Sequence, residues 1–153
     1  MTSLACKVLA ALEGKTLATA ESCTGGMIGG ALTGVPGASK VYKGGIISYW
    51  NEVKQGLLGV SGADLQTLGP VSEKVAKAMA EGARKALQTD AAVSVTGLAG
   101  PDGDDFGNPV GTVFIGFADT EKILANKYLF AGDREQVRRQ AAEAALKLIL
   151  ENV

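Results

Sequence analysis

The stretch TLATAESCTGGMIGG, Thr16 to Gly30, passes from an apolar, β-prone run into hydroxyl, thiol and glycine residues and then into a helical pattern. A strand over 16–20 that hands Glu-Ser-Cys-Thr-Gly-Gly to a helix over 24–32 is a unit of an α/β fold. Such sheets bind ligands beyond the carboxyl ends of their strands, where loop hydroxyls meet the unpaired N–H groups of a helix N-terminus. The spacing matches neither G-x-x-x-x-G-K-[ST] nor G-x-G-x-x-G, so neither a Walker loop nor a dinucleotide fingerprint is supported. A plainer reading has Ser22 or Thr24 capping the helix, Cys23 packing and the glycines easing helix–strand approach.

Outward from this unit the alternation continues. Helical periodicity at Leu4, Val8 and Leu12 precedes it; a strand over 45–50 and a short helix from Asn51, the expected cap, follow it. Next come a helix over 72–87, a strand over 91–95, a glycine-rich loop, and strands over 112–118 and 123–130. The last two face each other across Asp119-Thr-Glu-Lys122 as a hairpin, which makes the sheet mixed instead of wholly parallel. Asp133 and Gln136 read as the capping box of a final helix that carries Val137, Ala141, Ala144 and Leu148. No linker, repeat or charge block divides residues 1–153, so one domain is expected.

Composition narrows the function. Fifteen basic residues balance sixteen acidic ones, leaving no electrostatic footprint for nucleic acid or an anionic membrane. No apolar run reaches the ~18 residues of a membrane span, and the N-terminus resembles no signal peptide. The expected setting is therefore soluble and cytoplasmic. Two cysteines without a Cys-x-x-Cys suggest neither a disulfide framework nor a zinc site. Histidine is absent altogether, so any catalysis must proceed without imidazole and no metal centre is expected.

Four places could carry chemistry. Ser22, Thr24, Gly25 and Gly26 occupy the first loop. The second, SVTGLAGPDGDDFGNPVGT, leaves another strand end, and Thr96, Gly97 and Gly100 could offer donors to an oxyanion or phosphate. Asp102, Asp104 and Asp105 lack the spacing of a calcium loop and read as a solvated turn. In GGIISYWNEVKQGLLGV, Ser48 and Tyr49 lead to Lys54; without histidine, Lys54 and Tyr49 are the leading bases, provided desolvation or neighbouring cations lower their pKa. The ordinary alternative leaves Tyr49 and Trp50 half-buried and Lys54 solvated. Finally, Arg134 and Arg138 lie one turn apart at the start of the last helix, suited to a phosphate or carboxylate, or to pairing with Glu135 or Asp133.

Taken together, AESCTGG, SYWNEVK, TGLAGPDG, NPVGTV and GDREQVRRQA resemble the C-terminal domain family of CinA, the competence/damage-inducible proteins, over essentially the whole chain. The resemblance implies a three-layer α/β/α domain with a mixed, mostly parallel sheet, in the stand-alone form without the N-terminal molybdopterin-binding-like domain of many relatives. It also implies an amidohydrolase that turns nicotinamide mononucleotide and water into nicotinate mononucleotide and ammonia, without metal or cofactor. By motif, Ser22 becomes the nucleophile and Lys54 its base; we add Tyr49, Thr96 and Arg138 as helpers, and Cys23 is the competing nucleophile. The oxyanion would be held by the helix N-terminus at 22–26 or by the amides of Thr96 and Gly97. Relatives of this size often assemble, so a homo-oligomer is expected. A non-catalytic nucleotide- or phosphate-binding module is the alternative of a different class.

Overall fold

The computed structural model describes residues 1–153. In chain order its elements are helix α1 (Thr2–Ala11), strand β1 (Leu17–Glu21), helix α2 (Met27–Thr33), a 3-10 turn (Ala38–Lys40) and strand β2 (Tyr42–Ile47). Helices α3 (Asn51–Leu58), α4 (Gly62–Thr67) and α5 (Glu73–Leu87) follow, then strands β3 (Ala91–Gly97), β4 (Thr112–Ala118) and β5 (Ile123–Leu129), and helix α6 (Arg134–Asn152). The strands form one sheet in the order β2-β1-β3-β4-β5. β1 pairs parallel to β2 and β3, while β4 lies antiparallel to β3 and β5. Four strands thus run one way and β4 against them: the expected mixed α/β sheet.

Alternation along the strands separates the two covering layers. Leu17, Val93, Val95, Ile115 and Phe117 pack with α1, α2 and α6 in the larger core. Ala18, Ala20 and Ala92 face the opposite layer, where Leu58 of α3, Leu65 of α4 and Val75, Met79 and Ala83 of α5 cover them. Small residues on that face bring α5 close. A Cβ at Gly116 would lie 2.4 Å from the Ala76 carbonyl, and Ser94 Oγ donates to the same carbonyl at 2.6 Å. Gly82 likewise lets α5 touch α3, since a Cβ there would lie 1.9 Å from the Leu58 carbonyl oxygen. No helix is long and apolar enough to cross a membrane.

Several boundaries differ from those read in the sequence. Helix α2 begins at Met27 instead of Thr24, because Gly25 and Gly26 take positive φ values of 56° and 108°. β2 runs earlier than 45–50: Tyr42, Lys43 and Gly44 also belong to the strand, and a Cβ at Gly45 would lie 2.1 Å from Thr19 Oγ1. The chain leaves the sheet after Ile47, and Trp50, not Asn51, is the N-cap of α3. Helix α4, capped by Ser61, was not foreseen. The Asp133–Gln136 capping box of α6 and the hairpin turn at Asp119, whose carboxylate accepts from the Glu121 and Lys122 amides at 2.8 Å, match the sequence reading.

Candidate active site

β1 is buried along its whole length, and its last residue and the one after it face opposite layers. Glu21 points with Leu17 and Thr19 toward α2; Ser22 follows Ala18 and Ala20 toward α3 and α5. The Ser22 amide donates to the Val95 carbonyl at 2.9 Å, extending the β1–β3 ladder by one residue. On the other side of β1, the Ser48 amide donates to the Glu21 carbonyl at 2.8 Å as β2 ends. The hydroxyl of Ser22 and the turn into α3 are therefore registered by the same strand.

Lys54, on α3, reaches back beneath this turn and is 1% exposed. Its Nζ donates to the Ser48 carbonyl at 2.7 Å and the Tyr49 carbonyl at 3.3 Å, and lies 3.2 Å from Ser22 Oγ. No carboxylate forms a salt bridge with it. Burial disfavours the charged form and lowers its pKa to about 8. When protonated, Nζ donates to all three oxygens; once neutral, its two N–H bonds can stay on the carbonyls, which only accept, and leave the lone pair for the Ser22 hydroxyl.

A cavity of about 270 Å³ opens here, at the carboxyl ends of β1 and β3. Ser22 and Lys54 line it together with Tyr49, Thr96, Gly97, Gly100 and Arg134, seven of the twelve positions singled out in the sequence. Tyr49 is not the partner of Ser22. It is 57% exposed, and its hydroxyl accepts from Arg134 at 3.1 Å. Arg134 also donates to the Gly100 carbonyl, so the guanidinium spans two walls of the cavity. The Thr96 hydroxyl donates to the Pro70 carbonyl at 2.8 Å, which engages its proton in holding the rim. Gly97 lies in β3 where a Cβ would meet Val113 Cγ2 at 2.6 Å, so close backbone packing explains that glycine.

The other five positions lie outside the cavity lining, for legible reasons. The Thr24 hydroxyl and the Gly26 amide donate to the Glu21 carboxylate at 2.8 and 3.2 Å. Gly25 supplies the left-handed turn beside the Arg138 guanidinium. Arg138 is committed to the Cys23 and Thr24 carbonyls at 2.9 and 3.3 Å and clamps α6 to the loop. The Ser48 hydroxyl is fully buried and without a partner, while its carbonyl serves Lys54. Neither Arg134 nor Arg138 pairs with Glu135; Arg139 does, at 3.0 Å. Asp104 closes its loop by accepting from the Phe106 and Asn108 amides, and Asp102, read only as a turn residue, borders the cavity.

Beside Ser22, the sequence leaves Cys23 open between packing and attack and gives Glu21 no role. Cys23 borders the cavity but packs into the larger core, and burial pushes its thiol up to about 11, far from a reactive thiolate at neutral pH. Cys23→Ala is therefore expected to keep any turnover within about threefold of wild type, checked by steady-state kinetics. Glu21 was unforeseen: its carboxylate closes the helix N-terminus that had been read as an anion site. A charged residue ending an otherwise apolar, fully buried strand was the available signal.

The fold and site together define an α/β domain that places a hydroxyl, a buried amine and an arginine beyond the carboxyl ends of parallel strands. The chain belongs to the CinA C-terminal domain family, whose model matches residues 1–153. It is 48% identical over 135 residues to a CinA-like protein of Sulfurihydrogenibium sp., covering 88% of this chain and 34% of that one. Among solved structures, a competence damage-inducible protein A of Klebsiella pneumoniae superposes with a TM-score of 0.96 at 33% identity, covering 99% of this chain and 95% of that one. A CinA-superfamily protein of Escherichia coli gives 0.92 at 34% identity, covering 99% and 87%. The chain spans about a third of the length of the curated relatives it matches.

Proposed function

We propose that the domain is a metal-independent amidohydrolase with Ser22 as nucleophile and Lys54 as base, and that its substrate is nicotinamide mononucleotide. The 3.2 Å contact between Ser22 Oγ and a buried Nζ carries this reading. Ser22 Oγ attacks the carboxamide carbon while its proton passes to neutral Lys54. The tetrahedral intermediate collapses by breaking the C–N bond, Lys54 returns the proton to the leaving nitrogen, and ammonia departs. Water then attacks the Ser22 ester, gives its proton to Lys54, and the acid leaves as the Ser22 hydroxyl is restored.

The developing oxyanion needs preorganised donors. The amides of Gly26, Ile28 and Gly29 are engaged by Glu21, but those of Cys23 and Thr24 donate to no acceptor in the chain. They follow the nucleophile directly, as in other serine hydrolases that use the amide after the nucleophile. With Arg138 committed to the loop, Arg134 is the guanidinium that lines the cavity and would hold the 5′-phosphate. At about 270 Å³ the cavity lies just below the ~300–1,000 Å³ usual for small-ligand sites, a size that supports a small-molecule substrate.

The test is ammonia release from nicotinamide mononucleotide by the purified chain. Ammonia with stoichiometric nicotinate mononucleotide supports the amidase; binding without ammonia would identify a nucleotide-binding module instead. The pH profile gives a sharper check. Below its pKa Lys54 is protonated and cannot accept from Ser22, so kcat/KM should rise about tenfold per pH unit and level off near 8. A limb that climbs instead toward 11 would indicate the Cys23 thiol.

A further inference from the structure

We propose that Glu21 is a positioning residue for the Ser22–Lys54 pair, an assignment that rests on the amidase reading. Glu21 is 2% exposed and has no lysine or arginine partner. A buried, unpaired carboxylate is unfavourable unless donors surround it. Four do. Oε1 accepts from the Thr24 hydroxyl at 2.8 Å and from the Gly26 and Ile28 amides at 3.2 and 3.0 Å; Oε2 accepts from the Gly29 amide at 3.0 Å. These are the orphan amides at the start of α2, so the chain supplies its own anion where a ligand's could otherwise sit.

This clasp fixes the loop that carries the nucleophile. Gly25 and Gly26, both at positive φ, curl the chain around the carboxylate, and Gly29 must lack a side chain because a Cβ would lie 2.7 Å from Tyr42 Oη. The backbone carbonyl of Glu21 meanwhile receives the Ser48 amide, and the Ser48 carbonyl makes the shortest contact to Lys54 Nζ. One residue therefore ties together the segment bearing the nucleophile and the segment anchoring the base. Glu21, Thr24 and Ser48 do not themselves line the cavity, so loosening them should act on kcat more than on KM.

Glu21→Gln keeps the shape but turns one acceptor oxygen into a donor facing donors, which loosens the loop. In the purified chain, kcat for ammonia release from nicotinamide mononucleotide should fall about 10- to 100-fold while KM stays within about threefold, the signature of misplacement without lost binding. Labelling of Ser22 by phenylmethylsulfonyl fluoride, followed by mass spectrometry below the melting temperature, should slow in parallel. Thr24→Val removes one donor and should give a smaller loss of the same kind; Thr24→Ser should restore wild-type behaviour.

Wild-type kcat and labelling in a folded Glu21→Gln variant would overturn the proposal while leaving the amidase reading intact. If the wild type releases no ammonia but the Gln variant still labels more slowly, the positioning role stands and the substrate assignment fails. Should Glu21→Gln not fold, the Thr24 pair decides: unchanged kcat and labelling in Thr24→Val overturns the assignment, and a loss rescued by serine supports it.

Discussion

Ser22→Ala is expected to lower kcat by about 10⁴-fold or more while leaving nicotinamide mononucleotide binding within a few-fold of wild type. The argument is one of elimination within the cavity. Cys23, the neighbouring nucleophile, is buried with its thiol pushed up to about 11, and the Thr96 hydroxyl has its proton engaged by Pro70. Removing the Ser22 hydroxyl therefore leaves no group able to take its place. Since that hydroxyl hydrogen-bonds within the fold only to Lys54, stability should change by no more than about 1 kcal/mol. Calorimetric titration and a melting curve, run beside the kinetics, separate lost chemistry from lost binding or folding.

Lys54→Met is expected to abolish turnover to a comparable degree, at least about 10³-fold, yet not to weaken the fold at neutral pH. Burial of the amine is an energetic liability that the site retains for chemistry. With a folded pKa near 8 against an ordinary 10.5, holding the protonated lysine costs about 3 kcal/mol below pH 8. Between pH 8 and 10.5 the folded chain has released the proton and the unfolded chain has not, so stability rises with pH across that window; above it the cost is gone. Methionine avoids the cost, although the Ser48 and Tyr49 carbonyls lose their donor, an offset of about 1 kcal/mol each. The melting temperature of Lys54→Met should thus equal or exceed that of wild type at pH 7, and its advantage should shrink as pH rises toward 10. Differential scanning calorimetry across that range checks the sign.

Ser22 was legible because a strand ending in a hydroxyl cluster and running into glycines has few uses in an α/β fold. Lys54 was legible only as a candidate. The absence of histidine and the family resemblance pointed to it, but neighbours such as Asn51, Glu52 and Gln55 make an ordinary solvated helix, and nothing local reveals its burial. The Lys54 amine turns back to the Ser48 and Tyr49 carbonyls and to Ser22, and the last of these contacts joins segments 32 residues apart in sequence. Arg134 and Arg138 look equivalent one turn apart; the tertiary path of the 22–26 loop sends one to the cavity and the other to two backbone carbonyls.

The bounds of β2 shifted for a related reason. The sequence places that strand over 45–50, whereas it runs over Tyr42–Ile47; Gly45 fits there because Thr19 of the neighbouring strand and Tyr42 of β2 itself fill the space a Cβ would need. Glu21 escaped notice because charge in an apolar run suggests an edge or an error, not a fully enclosed acceptor. Its partners are all within eight residues, so the information was local, but only the left-handed turn at Gly25–Gly26 makes them converge.

The central claim is that the Ser22 hydroxyl becomes a nucleophile by giving its proton to a neutral amine. Its most direct test is rapid acid quenching of the chain with nicotinamide mononucleotide in the first turnover, followed by peptide mass spectrometry. An adduct of substrate minus ammonia, on Ser22 and absent from Lys54→Met, is the predicted result. Ammonia release at the wild-type rate from Ser22→Ala, or the same adduct on Cys23, would contradict it.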